Sequence, residues 1–294
     1  HRNWLAWQDA LVNMDTLHET FSADTTVTVL GQTLSLPVMI GPVGDVQRHY
    51  GERYDTVSYN RCVLEAAAGE GTLALTGDGL DGSIMSEACA LIAELGGRGI
   101  PTVKPWDEKT LEQKLDHALA ARPVAVAMDI DAAGLPFLKN LTPPAGSKTV
   151  EELRQIAERA EKPFILKGIM TVAGAKKALE AGASGIVVSN HGGRVLDQCP
   201  ATAEVLPAIA DAVGGRMTIL VDGGIRTGMD VFKALALGAD AVLIGRPFVN
   251  MVYGGGAEGV QVYVDKLKAE LADTMAMCGA HCLADIKRSM IFGY

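Results

Sequence analysis

Four side chains in this sequence have the chemistry to move a proton and hold an anion: His191, Arg194, Asp129 and Lys167. His191 sits in VVSNHGGRVLDQ (187–198), directly after an apolar run. An imidazole takes and returns a proton near neutral pH. Arg194 follows three residues later, across a Gly-Gly pair that lets the chain curl, so both side chains can address one ligand. A guanidinium offers a carboxylate two parallel hydrogen bonds. Asp129 ends the run PVAVAMD (123–129) and would orient the imidazole and stabilise its protonated form, as the acid of a triad does. Lys167 ends PFILKG (163–168) and would hold a fixed positive charge against a cofactor that gains electrons. Each has a commoner structural use, so their weight comes from standing together at the ends of apolar runs.

A second group suits phosphate. VDGGIRTG (221–228) supplies Asp222, Gly223, Gly224 and Arg226, and IGRP (244–247) supplies Gly245 and Arg246. Glycine lets the backbone approach a ligand closely, and arginine matches phosphate oxygens with its planar fork. The plainer alternative is tight turns, with Arg246 paired to a carboxylate.

The elements that must carry these residues repeat one rhythm. Eight apolar runs of strand length (36–42, 71–78, 100–105, 123–129, 163–168, 184–190, 217–224 and 240–247) alternate with helix-periodic segments such as 110–122, 149–161, 171–182 and 202–215. Several runs are apolar throughout, as strands covered on both faces are. Eight such units predict a (β/α)8 barrel, with an open doubly wound sheet as the competing architecture. Barrel chemistry sits at the C-terminal strand ends, which adds Pro42, Val43, Gly44, Thr76 and Lys104 to the residues facing the site. Residues 1–294 read as one domain, with an N-terminal helical segment over 1–35 and a C-terminal helical extension over 257–294. The long irregular stretch 132–148 has the length of a lid or binding loop.

Bulk properties bound the function. The 294 residues are 48% hydrophobic and 21% charged, with a net charge of −9. That balance argues against general affinity for nucleic acid or an anionic membrane surface. No run approaches the roughly 18–20 apolar residues of a membrane span. Five cysteines do not make a disulfide framework, so a reduced, cytoplasmic location is expected. Cys278, His281 and Cys282 supply three ligands without the paired spacing of a zinc site, and no metal is expected. The chain opens on HRNWLAWQD without a methionine, so further residues are expected before His1.

With these residues placed, the sequence resembles the FMN-dependent 2-hydroxy-acid oxidase/dehydrogenase family, which includes glycolate and lactate oxidases. The resemblance is strongest over 163–290, through LKGIMT, VVSNHGGRVLDQCPAT, LVDGGIRTGMDVFKALALGADAVLIGRP and ELADTMAMCGAHCLADI. It implies an FMN-binding (β/α)8 barrel that oxidises a 2-hydroxy acid. His191 would take the α-hydroxyl proton while hydride passes to flavin N5, Arg194 would clamp the substrate carboxylate, and Lys167 would face flavin N1. Asp129 would pair with the histidine. Ser189, Asp222, Gly223, Gly224, Arg226, Gly245 and Arg246 would hold the cofactor, and Pro42, Val43, Gly44 and Thr76 would lie along the flavin ring. Members are often tetramers or octamers, which implies a homo-oligomer. The motifs name neither the substrate side chain nor the electron acceptor.

The departures from the family bear on the substrate. A tyrosine of an N-terminal segment is missing, Pro-Thr-Val-Lys-Pro (101–105) replaces a Gln and a Tyr, and MDIDAAGLPFLKN (128–140) has no arginine. Lys104, and with it Lys139, is expected to supply the missing positive charge. Two other readings stand beside the first. One is an isomerase resembling type 2 isopentenyl-diphosphate isomerase, which lacks the SNHGGR loop; the other is a flavin- or phosphate-binding barrel without turnover.

Overall fold

A computed structural model describes residues 1–141 and 145–294, with the side chains of all of these except Phe137 and Lys139. The eight apolar runs all form strands: β3 (Val38–Ile40), β4 (Leu75–Thr76), β5 (Ile100–Val103), β6 (Val126–Asp129), β7 (Phe164–Ile169), β8 (Gly185–Val188), β9 (Thr218–Val221) and β10 (Ala241–Ile244). They pair in parallel in the order β3-β10-β9-β8-β7-β6-β5-β4. Ile40 then bridges to Ala74, just before β4, and closes the ring. The architecture is the expected (β/α)8 barrel rather than an open sheet.

The surrounding helices are α3 (Thr56–Gly69), α4 (Gly82–Glu94), α5 (Glu108–Ala120), α7 (Val150–Ala160), α8 (Val172–Glu180), α9 (Thr202–Val213), α10 (Gly228–Ala236) and α11 (Arg246–Met277). Short helices α2 (Val46–Tyr50) and α6 (Pro136–Lys139) interrupt the loops after β3 and β6. Helix starts follow local chemistry. Asp55, Asp81, Asp107, Thr149, Thr171 and Thr227 each accept a backbone N–H from the first turn, replacing a partner the helix cannot supply.

Burial divides each strand by parity. Val38, Ile40, Phe164, Leu166, Ile186, Val188, Ile219 and Val221 pack outward under the helices. Met39, Leu75, Ile100, Ala125, Ala127, Ile165, Val187, Leu220 and Leu243 fill the barrel interior. Strand side chains alternate between faces, so these two sets are the two sides of one sheet.

The N-terminal segment differs from its expectation. It is helical only over α1 (Arg2–Asp9), and the antiparallel strands β1 (Val27–Val29) and β2 (Gln32–Leu34) follow. The alternating pattern TVTVLGQTL has period two, and Leu30 and Gly31 both turn with positive φ, as a tight hairpin requires. Val29 and Leu34 join the interior cluster and plug the barrel. At the other end, the expected extension is the second part of α11, beyond a break at Gly256, followed by 3-10 turns over Leu283–Asp285 and Arg288–Met290. No helix among the described residues is long and apolar enough to cross a membrane.

Candidate active site

Strand parity carries the site residues to one place. Ala125 and Ala127 point inward, so Asp129 does; Ile165 sets Lys167, Val187 sets Ser189, and Leu220 sets Asp222. On β5, Ile100 leads by the same step through Thr102 to Lys104. All five polar residues emerge at the C-terminal mouth of the barrel, where each strand leaves its apolar interior.

That mouth opens into a cavity of about 940 Å3. Its wall includes Pro42, Val43, Gly44, Lys104, Asp129, Lys167, His191, Arg194, Asp222, Gly223, Gly224, Arg226, Gly245 and Arg246. Of the residues expected at the site, Thr76 and Ser189 are fully buried and stand outside the wall. Ser189 Oγ accepts from Lys167 Nζ at 3.1 Å and from the His191 backbone N–H at 3.2 Å, so it ties the lysine to the histidine loop. The Thr76 hydroxyl has no partner among the described residues. The Lys139 side chain lies outside the described residues.

The histidine's partner is a correction to the sequence reading. His191 Nδ1 lies 3.1 Å from Asp131 Oδ1, and Asp129 is engaged elsewhere. Asp131 follows Asp129 by two residues, in the 3-10 turn Ile130–Gly134. Its approach depends on Gly168, where φ is +103° and an added Cβ would stand 2.4 Å from the Asp131 side chain. Burial opposes ionisation of Asp131, but Lys167 and the bond from His191 outweigh it and hold the carboxyl below its ordinary range.

Asp129 instead accepts from Lys104 Nζ at 3.1 Å, and both side chains are buried. Burial pushes the Asp129 carboxyl up, against the opposing pull of Lys104, His191 and Lys167. The positive charge expected of Lys104 is therefore half of a buried pair rather than a free cation. Lys104 is itself held from behind. Its backbone N–H donates to Asp78, which also accepts from Trp106 Nε1, Lys114 Nζ and the Gly79 N–H. Asp78 thus fixes the loop after β5 through four donors, a structural use of a residue that sequence alone placed only at a strand end.

Lys167 Nζ lies 3.5 Å from Asp222 Oδ2. Burial works against its charge, but Asp222, Asp131 and Asp129 outweigh burial and raise its pKa. Across the cavity α2 brings Arg48, His49 and Tyr50 to the wall. Burial, then the charge of Arg194, pushes the His49 imidazole down.

The arginines expected to bind anions have no carboxylate within 4 Å among the described residues: Arg194, Arg226 and Arg246 are all absent from its ion pairs. Arg246 reaches the His191 loop, because a Cβ at Gly192 would meet its Nη2 at 2.7 Å. Uncompensated guanidinium groups converging on glycine loops at the mouth of a parallel barrel define an anion-binding (β/α)8 enzyme-type site.

Comparison with known proteins narrows the class. The model of the FMN-dependent dehydrogenase family matches residues 1–140 and 107–292, and the chain belongs to this family. The peroxisomal (S)-2-hydroxyacid oxidase GLO3 of Arabidopsis thaliana is 51% identical over 144 residues, covering 49% of this chain and 39% of that protein. An L-lactate oxidase of Roseobacter sp. is 46% identical over 146 residues, covering 50% of this chain and 40% of that protein. These matches span about two fifths of each relative's length. A lactate oxidase structure from Pediococcus acidilactici superposes with a TM-score of 0.85 at 29% identity, over 100% of this chain and 86% of that one. A mandelate oxidase structure gives a TM-score of 0.82 at 28% identity, over 98% of this chain and 88% of that one.

The residues present fit FMN. Arg226 and Arg246, with the glycines beside them, suit its phosphate. Asp222 Oδ1 is buried without a partner among the described residues, an acceptor left for a hydroxyl of the ribityl chain. Lys167 sets a buried positive charge in the cavity wall, where an electron-accepting ring system would benefit from it.

Proposed function

We propose that this chain oxidises an (S)-2-hydroxy acid to the 2-oxo acid with FMN as its cofactor. The observation that carries the reading is the His191–Asp131 pair, whose histidine shares one cavity wall with Arg194 and Lys167. Bound FMN supplies the acceptor for the hydride that leaves the substrate's α-carbon. Arg194 clamps the carboxylate and so fixes the α-carbon in place. Asp131 occupies His191 Nδ1, which leaves Nε2 to take the hydroxyl proton, and its negative charge stabilises the imidazolium that results. Lys167 balances the negative charge that accumulates at the cofactor. Arg226, Arg246, Gly223, Gly224 and Gly245 bind the phosphate, Asp222 the ribityl chain, and Pro42, Val43 and Gly44 the ring. The Lys104–Asp129 pair forms the substrate wall where the family resemblance implies a Gln and a Tyr.

The family resemblance and the acidic, cysteine-poor composition support a single FMN-binding domain over residues 1–294, assembled as a homo-oligomer in the cytoplasm. The test is an anaerobic titration of the FMN-loaded protein with a panel of (S)-2-hydroxy acids, alongside His191→Ala. Bleaching of the oxidised flavin band by one acid, absent in the variant, is expected. A loaded protein that no hydroxy acid bleaches would overturn the oxidation and favour a binding barrel without turnover.

A further inference from the structure

Helix α1 lies outside the barrel in sequence, yet its side chains end on the two loops that carry the site. Asn3 is buried and forms a reciprocal amide pair with Asn190, the residue before His191: Asn3 Nδ2 donates to Asn190 Oδ1 at 2.8 Å, and Asn190 Nδ2 to Asn3 Oδ1 at 2.9 Å. Asn3 Oδ1 also accepts from the Thr202 N–H at 3.3 Å, where the catalytic loop enters α9. The same helix meets the loop after β9. Trp7 Nε1 donates to the Gly223 carbonyl at 2.8 Å. A Cβ at Gly223 would stand 2.3 Å from Asn3 Nδ2, and one at Gly224 would stand 2.5 Å from the Trp4 backbone nitrogen. The Arg226 guanidinium lies over the Trp4 ring at 5.4 Å.

We propose that α1 is a positioning element of the active site, in which Asn3 locks the histidine loop and the phosphate loop into one register. This rests on the functional reading above for the roles of the two loops. The chain of contacts explains the choice of residue. A side chain that joins Asn190 while accepting from Thr202 must donate and accept at once, and asparagine does both within its short reach. Gly223 and Gly224 have positive φ and no room for a Cβ, so the loop is shaped to admit the helix. The far end of α1 is held as well. Lys233 Nζ, buried on α10, donates to the Trp7 carbonyl at 2.8 Å, and Gln8 Nε2 donates to Asp230 Oδ1 at 3.3 Å. Asp230 Oδ2 accepts the Arg226 backbone N–H at 3.0 Å, so α1 reaches the phosphate arginine from both sides.

The test measures FMN dissociation, by quenching of flavin fluorescence, and turnover of the FMN-loaded enzyme for the parent, Asn3→Ala, Trp7→Phe, Asn190→Ala and the Asn3→Ala/Asn190→Ala double variant. Loss of the amide pair should weaken FMN binding and lower kcat, each about tenfold, with KM for the hydroxy acid little changed. The double variant should cost no more than the worse single one, because the two side chains act as a unit. Trp7→Phe removes the bond to Gly223 and leaves a smaller aromatic ring in the buried site, so it should weaken FMN binding and decides alone if Asn3→Ala does not fold. FMN affinity and kcat within twofold of the parent, with only Tm lowered, would reduce α1 to packing and overturn the proposal. The FMN readout needs no substrate, so it stands apart from any failure of the oxidation itself.

Discussion

His191 and Asp131 meet at 3.1 Å beside the barrel mouth, while Asp129, two residues earlier, is bonded to Lys104. The two carboxylates thus divide the work: one meets the histidine, and the other neutralises a buried ammonium. Asp131→Ala should lower kcat about a hundredfold or more while FMN stays bound, because the imidazole loses both its orientation and the charge that stabilises its protonated form. Single-turnover flavin reduction measures this directly. Retained reduction rates would remove Asp131 from the proton-transfer apparatus.

Asp131 has a pH signature in stability as well. Its folded pKa lies below the ordinary 3.8, so its stabilising contribution is complete above that value and is lost as pH falls through the folded pKa. Asp131→Asn should therefore flatten the acid side of a Tm-against-pH profile below about pH 4. A variant whose acid limb parallels that of the parent would contradict the assignment.

Gly168→Ala tests the space behind the pair. The φ of +103° is strained for any side chain, and the added methyl would meet Asp131 at 2.4 Å. The variant should lose stability by about 1–3 kcal/mol and turn over far more slowly, since a displaced Asp131 no longer reaches the imidazole. Chemical denaturation and kcat on the loaded enzyme measure the two effects. A normal kcat would show that the loop absorbs the methyl without moving the carboxylate.

Lys104→Met should destabilise the fold by about 3–5 kcal/mol near neutral pH, because it leaves a buried carboxylate without its partner. Asp129 would then keep only the upward pull of burial against weaker opposing charges. A carboxyl with a raised folded pKa stabilises most below its unfolded value and less as pH rises through the folded one. Melting curves at about pH 4.5 and pH 7.5 should thus show a larger Tm deficit at the higher pH. An equal deficit at both would mean that Asp129 titrates normally.

Arg246→Gln should raise the FMN dissociation constant by roughly tenfold to a hundredfold, as removal of a charged partner from a phosphate does. Substrate KM on the saturated enzyme should change little. Unaltered FMN affinity would place the phosphate elsewhere.

What the amino-acid order determined by itself was considerable. Eight apolar runs closed by polar or glycine-rich ends dictate eight buried strands, and alternation within each run points Lys104, Asp129, Lys167, Ser189 and Asp222 to the same side. The glycines and arginines of DGGIR and IGRP are legible for a like reason, since their chemistry follows from residue type and strand end alone. Which carboxylate meets which cation was decided only by the tertiary structure. Asp129 and Asp131 stand two residues apart, and nothing in the sequence says that the first ends the strand while the second lies in the turn beyond it. The choice depends on the lateral register of β6, β7 and β8, where Asp129 lies opposite Lys167 and the pairing of β7 with β8 shifts between Lys167 and Ile169. That irregularity lies at Gly168, whose lack of a Cβ gives Asp131 its room. The role of Asn3 was hidden in the same way. A single asparagine in an amphipathic helix carries no signal, and its partner Asn190 is 187 residues away along the chain. Strand alternation is a property of neighbours in sequence, whereas charge pairing and helix docking are settled by distances across the folded barrel.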